Sequence, residues 1–331
     1  MKGTRVRTPR RTPLAAAVTA GALLASLTGC VTVHGESAVV PALGKAEAAK
    51  VLRTFVERNN RANTAYDTAL NARIETGALG AIDQAGLTAR KKVRPQGNPD
   101  YVPLKLTDTR YLIPEQAGWP KFFVTDSRSN RKGQGRWLFV FQRDRADGPW
   151  KAAYLSVVDP DAMPEFARDA EGHVKAVPVG GASGLTVAPD QLSRRYTRYL
   201  QEGAGDDFAT GPHTSVQRKQ RLKEMKRTSV RNEFADQAVR SPQFAPFGLR
   251  TKDGGALVFF ASRHHHKQTL PRGYRPQIKN PLVKALMSGT PKQSVTFVRM
   301  SEQAVTVPAR KSHGKVDFLS RIEGLTTARG S

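Results

Sequence analysis

Apolar positions along this chain fall into two periodicities. From Lys45 to Arg61, Ala48, Val51, Leu52, Phe55, Val56 and Asn59 recur at i, i+3, i+4 spacing, which predicts an amphipathic helix. A second helical stretch is expected from Ala62 to Thr76, interrupted by Gly77 and Gly80. Residues 89–102 contain Lys91, Lys92, Pro95, Gly97 and Pro99 and read as loop. The pattern then becomes continuous and apolar over short lengths. Phe122 to Val124, Trp137 to Phe141 and Trp150 to Val158 predict strands, with turn chemistry from Arg143 to Pro149. Unbroken apolarity in WLFVF implies a sheet covered over at least part of both faces. Phe166 to Val179 reads as a smaller hairpin around Asp169-Ala170-Glu171-Gly172.

Gly180-Gly181-Ala182-Ser183-Gly184 has linker composition, and the order of elements repeats after it. Pro189 to Gln201 predicts a helix with Leu192, Tyr196, Tyr199 and Leu200 inward, and Ser215 to Ala238 predicts a second. Strand patterns return at Ala256–Ser262, Ser294–Met300, Ala304–Val307 and Val316–Leu319, with Ile322 last and a hairpin turn at Asp253-Gly254-Gly255. Helices followed by strands, twice, imply an α+β chain with antiparallel sheets. Two tandem domains are expected, at 44–180 and 181–331. In its order of elements each half resembles the cystatin-like and nuclear-transport-factor-like cone, in which helices cover a curved sheet.

The beginning of the chain has a different character. Residues 1–29 hold five Lys and Arg and no Asp or Glu, and Leu14 to Leu27 is an apolar run. Fourteen residues suit a signal-peptide core and fall short of the roughly 20 that span a bilayer. The run closes on Leu27-Thr28-Gly29-Cys30, which resembles the lipobox of bacterial lipoproteins. That resemblance implies cleavage before Cys30, a diacylglyceryl thioether on its sulfur and acylation of the new amino terminus. Two or more acyl chains anchor stably where one is marginal. Arg10-Arg11 also fits twin-arginine export, although Pro13 stands where that signal prefers an apolar residue. Residues 30–43 are expected to be a tether, and the whole chain resembles the secreted lipoproteins of unknown function found in actinobacteria.

Lipidation would leave no free thiol, because Cys30 is the one cysteine in the sequence. Disulfides, a cysteine nucleophile and a thiolate metal site are then excluded. It also reframes the charge. The chain has 331 residues, with 53 Lys and Arg against 28 Asp and Glu, a net of +25. Outside the cell this excess points to anionic lipid or an acidic wall polymer and leaves no expectation of specific nucleic-acid binding. Residues 30–180 carry 22 basic and 17 acidic residues, and residues 181–331 carry 26 and 11. The second half therefore holds most of the excess. Its densest piece places Arg218, Lys219, Arg221, Lys223, Lys226, Arg227 and Arg231 against Glu224 alone, with Leu222, Met225, Val230 and Phe234 as an expected buried stripe.

Candidate chemistry is sparse. His264 and His266 share one face of a strand and could ligate zinc or copper, but Arg263 and Lys267 flank them and no third ligand is close in sequence. His173, His213 and His313 stand alone beside turns. Asp169 to Gly172 has a loose calcium-loop look without EF-hand ligand spacing. Nucleophile-elbow, zincin, phosphate-loop and dinucleotide motifs are absent. No catalytic residue and no cofactor is assigned. The expectation is a lipid-anchored protein on the extracytoplasmic face of the membrane that binds or scaffolds at an anionic surface. The alternatives are a small-molecule-binding or hydrolase- or isomerase-type enzyme with its site inside one cone, and an accessory lipoprotein of a transport or secretion assembly.

Overall fold

The computed structural model describes residues 38–240 and 242–331; the signal segment, Cys30 and the first part of the tether lie outside them. Helix α1 (Lys45–Ala65) forms where expected and buries Ala48, Leu52, Phe55, Asn59 and Ala62. Tyr66 ends it in the left-handed conformation, and Asp67 then caps α2 (Thr68–Ile74), its carboxylate accepting from the Leu70 N–H at 2.9 Å. The expected break at Gly77 and Gly80 is instead the first turn of α3 (Gly77–Val93), which also occupies much of the expected loop over 89–102. Gly77 has φ +60°, and a Cβ there would sit 3.1 Å from the Ala153 carbonyl oxygen. Glycine here permits close approach and a helix start, so its meaning is packing and not termination.

Four antiparallel strands follow: β2 (Leu106–Leu112), β4 (Lys121–Ser129), β5 (Arg136–Arg143) and β6 (Lys151–Val158), in the order β2-β4-β5-β6. A small sheet beside them joins β1 (Val40–Pro41), β3 (Pro114–Gln116) and β7 (Val174–Lys175). The end of the expected tether is thus folded: Val40 pairs with Gln116, and Ala42 and Leu43 are buried, as the apolar VVPAL composition favours.

In the second half, α4 (Pro189–Glu202) forms as expected. The long helix expected over 215–238 does not. A π-type turn at Pro212–Val216 leads into α5 (Gln217–Met225), and residues 231–238 become β8. Asn232 is buried, and from Phe234 to Ala238 half-buried and exposed residues alternate, a period of two that overrides the helical composition of RNEFADQA. Three 14-residue strands, β10 (Ala256–Thr269), β12 (Ser294–Val307) and β13 (Asp317–Gly330), make the second sheet. Beyond the apolar stretches read from sequence, these strands continue through polar segments; β10 and β12 pair without interruption from Ala256↔Val307 to Thr269↔Ser294. The order is β11-β13-β12-β10-β8, where β11 is Met287–Ser288; β9 (Phe247–Arg250) pairs with the start of β10. Helix α6 (Pro281–Ala285) lies in the connection between β10 and β11.

Strand alternation sorts the core into layers. Phe123, Phe139 and Phe141 pack on α1 through Phe55, with ring centroids 5.0–5.3 Å apart. The opposite faces of the same strands, through Phe122, Val124, Leu138, Val140 and Tyr154, pack on Phe247, Leu257, Phe259, Met300 and Ala304 of the second sheet. Val258, Phe260, Val305 and Val307 face outward again onto Leu192, Tyr196 and Leu200 of α4. The result is a helix–sheet–sheet–helix stack, α+β with antiparallel sheets. Its middle layer draws on residues from both sides of Gly180–Gly184, where Gly181–Ser183 form a single 3-10 turn. The free edge of β6 is satisfied by side chains of the other sheet: the Leu155 N–H donates to Glu302 and the Val157 N–H to Ser320, each at 3.1 Å. The Glu302 carboxyl is fully enclosed, and burial, aided by the nearby Asp83, holds its pKa well above the usual carboxylate range. No helix among the described residues is long and apolar enough to cross a membrane.

Candidate functional site

Helices α4 and α5 cover the outer face of the same long-strand sheet, at different distances along it. At the apolar end of the sheet, the start of β10 and the end of β12, α4 buries leucines and tyrosine. Farther along, the sheet face becomes polar: Ser262, His264 and His266 from β10, Gln303, Ser301 and Arg299 from β12, Arg321 and Glu323 from β13, and Asp236 from β8. Helix α5 lies over this part and meets it with polar groups of its own. Arg221 is 9% exposed and donates to the Asp236 carboxylate at 2.6 Å, its guanidinium lying over the Phe234 ring.

The Asp236 carboxylate also accepts from His264 Nδ1 at 2.5 Å, which fixes the imidazole with its proton on Nδ1. His264 Nε2 then accepts from the Ser301 hydroxyl at 2.8 Å, the Ser262 hydroxyl lies 3.0 Å from both, and Gln303 donates to both hydroxyls. Burial dominates and lowers the His264 pKa, disfavouring the charged ring although the bond to Asp236 favours it. Asp236 is desolvated too, but the bonds from His264 and Arg221 outweigh burial and hold its pKa below the ordinary value. Tyr196 of α4 ties the same region together, donating to the His213 carbonyl at 2.7 Å; burial pushes its pKa up to about 12.

Serine, histidine and aspartate in this order have the spatial sequence of a hydrolase triad. Both hydroxyls, however, have no exposed surface. The adjoining cleft of about 430 Å³ is lined by His213, Gln217, Arg221, His264, Arg299 and Glu323, among others, but by neither serine. An acyl carbon has no path to either oxygen. The chemistry this arrangement performs is to give the Arg221 guanidinium, which α5 buries, a charged partner and to tie that partner into the sheet.

The consequence appears on the other side. Val216, Leu222 and Met225 are 58%, 41% and 52% exposed, and Lys219, Lys223, Lys226 and Arg227 are exposed among them. The helix is inside out relative to a normal amphipathic surface helix. Strand register places a second basic segment at the same end of the sheet. Thr269 pairs with Arg231, and the chain beyond it carries exposed Arg272, Tyr274, Arg275 and Lys279. Tyr274 is 67% exposed.

Residues 39–330 match the family model for the Domain of unknown function DUF8094. The chain belongs to the DUF8094 family. A protein of Streptomyces coelicolor named "Uncharacterized lipoprotein" is 46% identical to it over 98% of both chains. One of the same name from Streptomyces avermitilis is 45% identical over 94% of this chain and 93% of its own. A second Streptomyces coelicolor protein named "Uncharacterized lipoprotein" is 26% identical over 98% and 95%.

In this DUF8094 chain the seven cations expected to form one surface do not act alike. Lys219, Lys223, Lys226 and Arg227 make no ion pair among the described residues. Arg221 turns inward to Asp236, which takes it off the outer cationic side of the helix. Arg218 is half-buried and donates to the Glu202 carbonyl at the end of α4, at 3.2 Å. Arg231 pairs with Glu233 at 2.9 Å. The stripe expected to be buried differs likewise, since Leu222 and Met225 face out. His264 and His266 do share a face, but their ring nitrogens are spent separately, His266 on Asn232 at 2.8 Å and on stacking with Phe234. Sequence reading missed Tyr274 with Arg272 and Arg275; a solvent-facing aromatic inside a basic, proline-flanked loop was the available signal.

Proposed function

We propose that this DUF8094 protein is held on the extracytoplasmic face of the cell membrane by lipid on Cys30 and docks against anionic headgroups through α5 and the loop over 270–280. The observation that carries the reading is the inverted helix: buried polar groups hold α5 down, and its solvent side is at once apolar and cationic. That combination matches a bilayer interface, where apolar tips enter the acyl boundary and ammonium groups meet phosphate. Four exposed cations at up to about 1 kcal/mol each support a total near 4 kcal/mol at low salt, falling steeply as screening grows. The names of the curated relatives agree with lipid attachment. A non-enzymatic role is favoured because both hydroxyls beside His264 are enclosed.

Partition of the full-length mature chain carrying Cys30→Ser onto vesicles tests this without the acyl anchor. Binding is expected on phosphatidylglycerol vesicles, weakening as salt rises, with little on neutral phosphatidylcholine. Charge reversal at Lys219, Lys223 and Lys226 is expected to lower partition more than tenfold. Equal binding to both lipids, or no effect of reversal, contradicts the reading. Salt-sensitive binding to teichoic-type polymer in place of lipid would move the surface to the cell wall.

A further inference from the structure

The hairpin that looked in sequence like an incomplete calcium loop has a neighbour that sequence could not supply. Gly172, at φ +84°, folds the turn so that Asp169 and His173 face each other. The His173 N–H donates to Asp169 Oδ1 at 2.8 Å, and the Asp169 N–H donates to the His173 carbonyl at 3.0 Å. This spends Oδ1 and leaves Oδ2 at 3.4 Å from His173 Nδ1. Strand β7 then pairs in parallel with β3, Glu115 opposite Lys175, which brings Glu115 Oε1 to 4.0 Å from the same nitrogen. The three donor atoms lie within 4.8 Å of one another.

Two features separate this group from an ordinary surface ion pair. His173 Nδ1 is shielded from solvent and makes no hydrogen bond of good geometry, with Asp169 Oδ2 3.4 Å and Glu115 Oε1 4.0 Å away. A buried polar atom left without a partner calls for an explanation. In addition, neither Glu115 nor Asp169 pairs with Lys or Arg among the described residues, in a chain that holds 53 of them.

We propose that Glu115, Asp169 and His173 form a binding site for a divalent transition-metal ion of the zinc class. Ligands about 2.0–2.2 Å from zinc in tetrahedral array stand roughly 3.3 Å apart, so the observed spacings need only small side-chain adjustments to close on an ion. Mixed N/O donors suit zinc better than calcium or magnesium, which take oxygen. Three protein ligands leave a fourth position for water, and the side chains are 20–38% exposed, so the ion can enter from solvent. Strand β3 also pairs with β1, where Pro41 lies opposite Glu115. An ion here fastens β7 to the strand that receives the chain arriving from Cys30.

Titration calorimetry of the mature full-length chain, first stripped with chelator, is the test, with zinc chloride as the probe. One equivalent of zinc is expected to bind and to raise the unfolding midpoint. His173→Gln is expected to weaken that site at least tenfold, and Glu115→Gln, on a different strand, to do the same if the first variant fails to fold. His266→Gln is expected to leave it unchanged. Absence of a one-equivalent site in the folded wild-type chain overturns the proposal. So does zinc affinity retained in Glu115→Gln, or calcium displacing zinc at equal concentration.

Discussion

Helices α4 and α5 sit on one sheet and are held there by opposite means. Helix α4 buries Leu192, Tyr196 and Leu200 and turns arginines outward. Helix α5 buries Arg221 against Asp236 and turns Leu222 and Met225 outward, with Val216 exposed in the turn before it. The first is fixed by apolar area removed from water, the second by a buried ion pair joined to a polar network in the sheet. A helix docked by polar groups has its apolar residues free for another surface, and this is why α5 rather than α4 is the candidate interface.

The contrast breaks most sharply in the apolar half. Tyr196→Ala empties a fully buried site and is expected to cost about 4 kcal/mol in denaturant unfolding, lowering global stability. Asp236→Asn strips Arg221 of its counter-charge and is expected to cost about 3 kcal/mol. Its signature is local: amide exchange across α5 accelerates more than across α4. A cost shared equally by the two helices would erase the distinction drawn here.

Buried carboxyls repeat the contrast and give it a pH axis. Asp236, whose folded pKa is depressed, contributes stability that is present above its unfolded pKa near 4 and is lost as pH falls. Glu302, with one oxygen unpartnered, has the opposite sign. Its raised pKa means the fold is favoured below the unfolded value, and stability is lost as pH rises through the folded one. Asp83, raised by burial to about 6 despite Arg90, adds a loss of the same sign as pH rises from its unfolded value near 4 to about 6. Glu302→Gln is expected to flatten the alkaline loss and to exceed wild type there by on the order of 1 kcal/mol in thermal unfolding. An unchanged pH profile would show that this carboxyl does not titrate across the transition. The smallest effect is the most telling for function. Leu222→Ser is expected to change stability by less than about 1 kcal/mol, since the residue is 41% exposed, while lowering partition onto anionic vesicles.

Much of the architecture was legible because strands covered on both faces announce themselves as unbroken apolar runs. WLFVF and ALVFFAS give both sheets, and the i, i+3, i+4 face of α1 gives the helix above the first. What was illegible follows from tertiary context. The polar continuation of β10 through His264 and His266 looks like a strand end until β8 and β12 are beside it. RNEFADQA has helical composition, and only pairing with β10 makes it a strand. Gly77 reads as a breaker because the approach of Ala153 is not local. For the same reason the basic segment was seen as a single surface: that Arg221 points inward depends on Asp236, fifteen residues away on another element. His173 looked isolated because Glu115 reaches it only through the parallel pairing of β3 and β7.

The central claim is that α5 presents its apolar-cationic side to a bilayer. A spin label at Leu222→Cys measures this directly in the lipidated protein reconstituted in vesicles, where acylation would leave Cys30 unreactive to the label. Power saturation with oxygen and a water-soluble nickel chelate is predicted to place the label at the headgroup–acyl boundary in phosphatidylglycerol vesicles, and a control label at Arg194→Cys on α4 in water. A label at position 222 that remains fully in water in anionic vesicles would contradict the account.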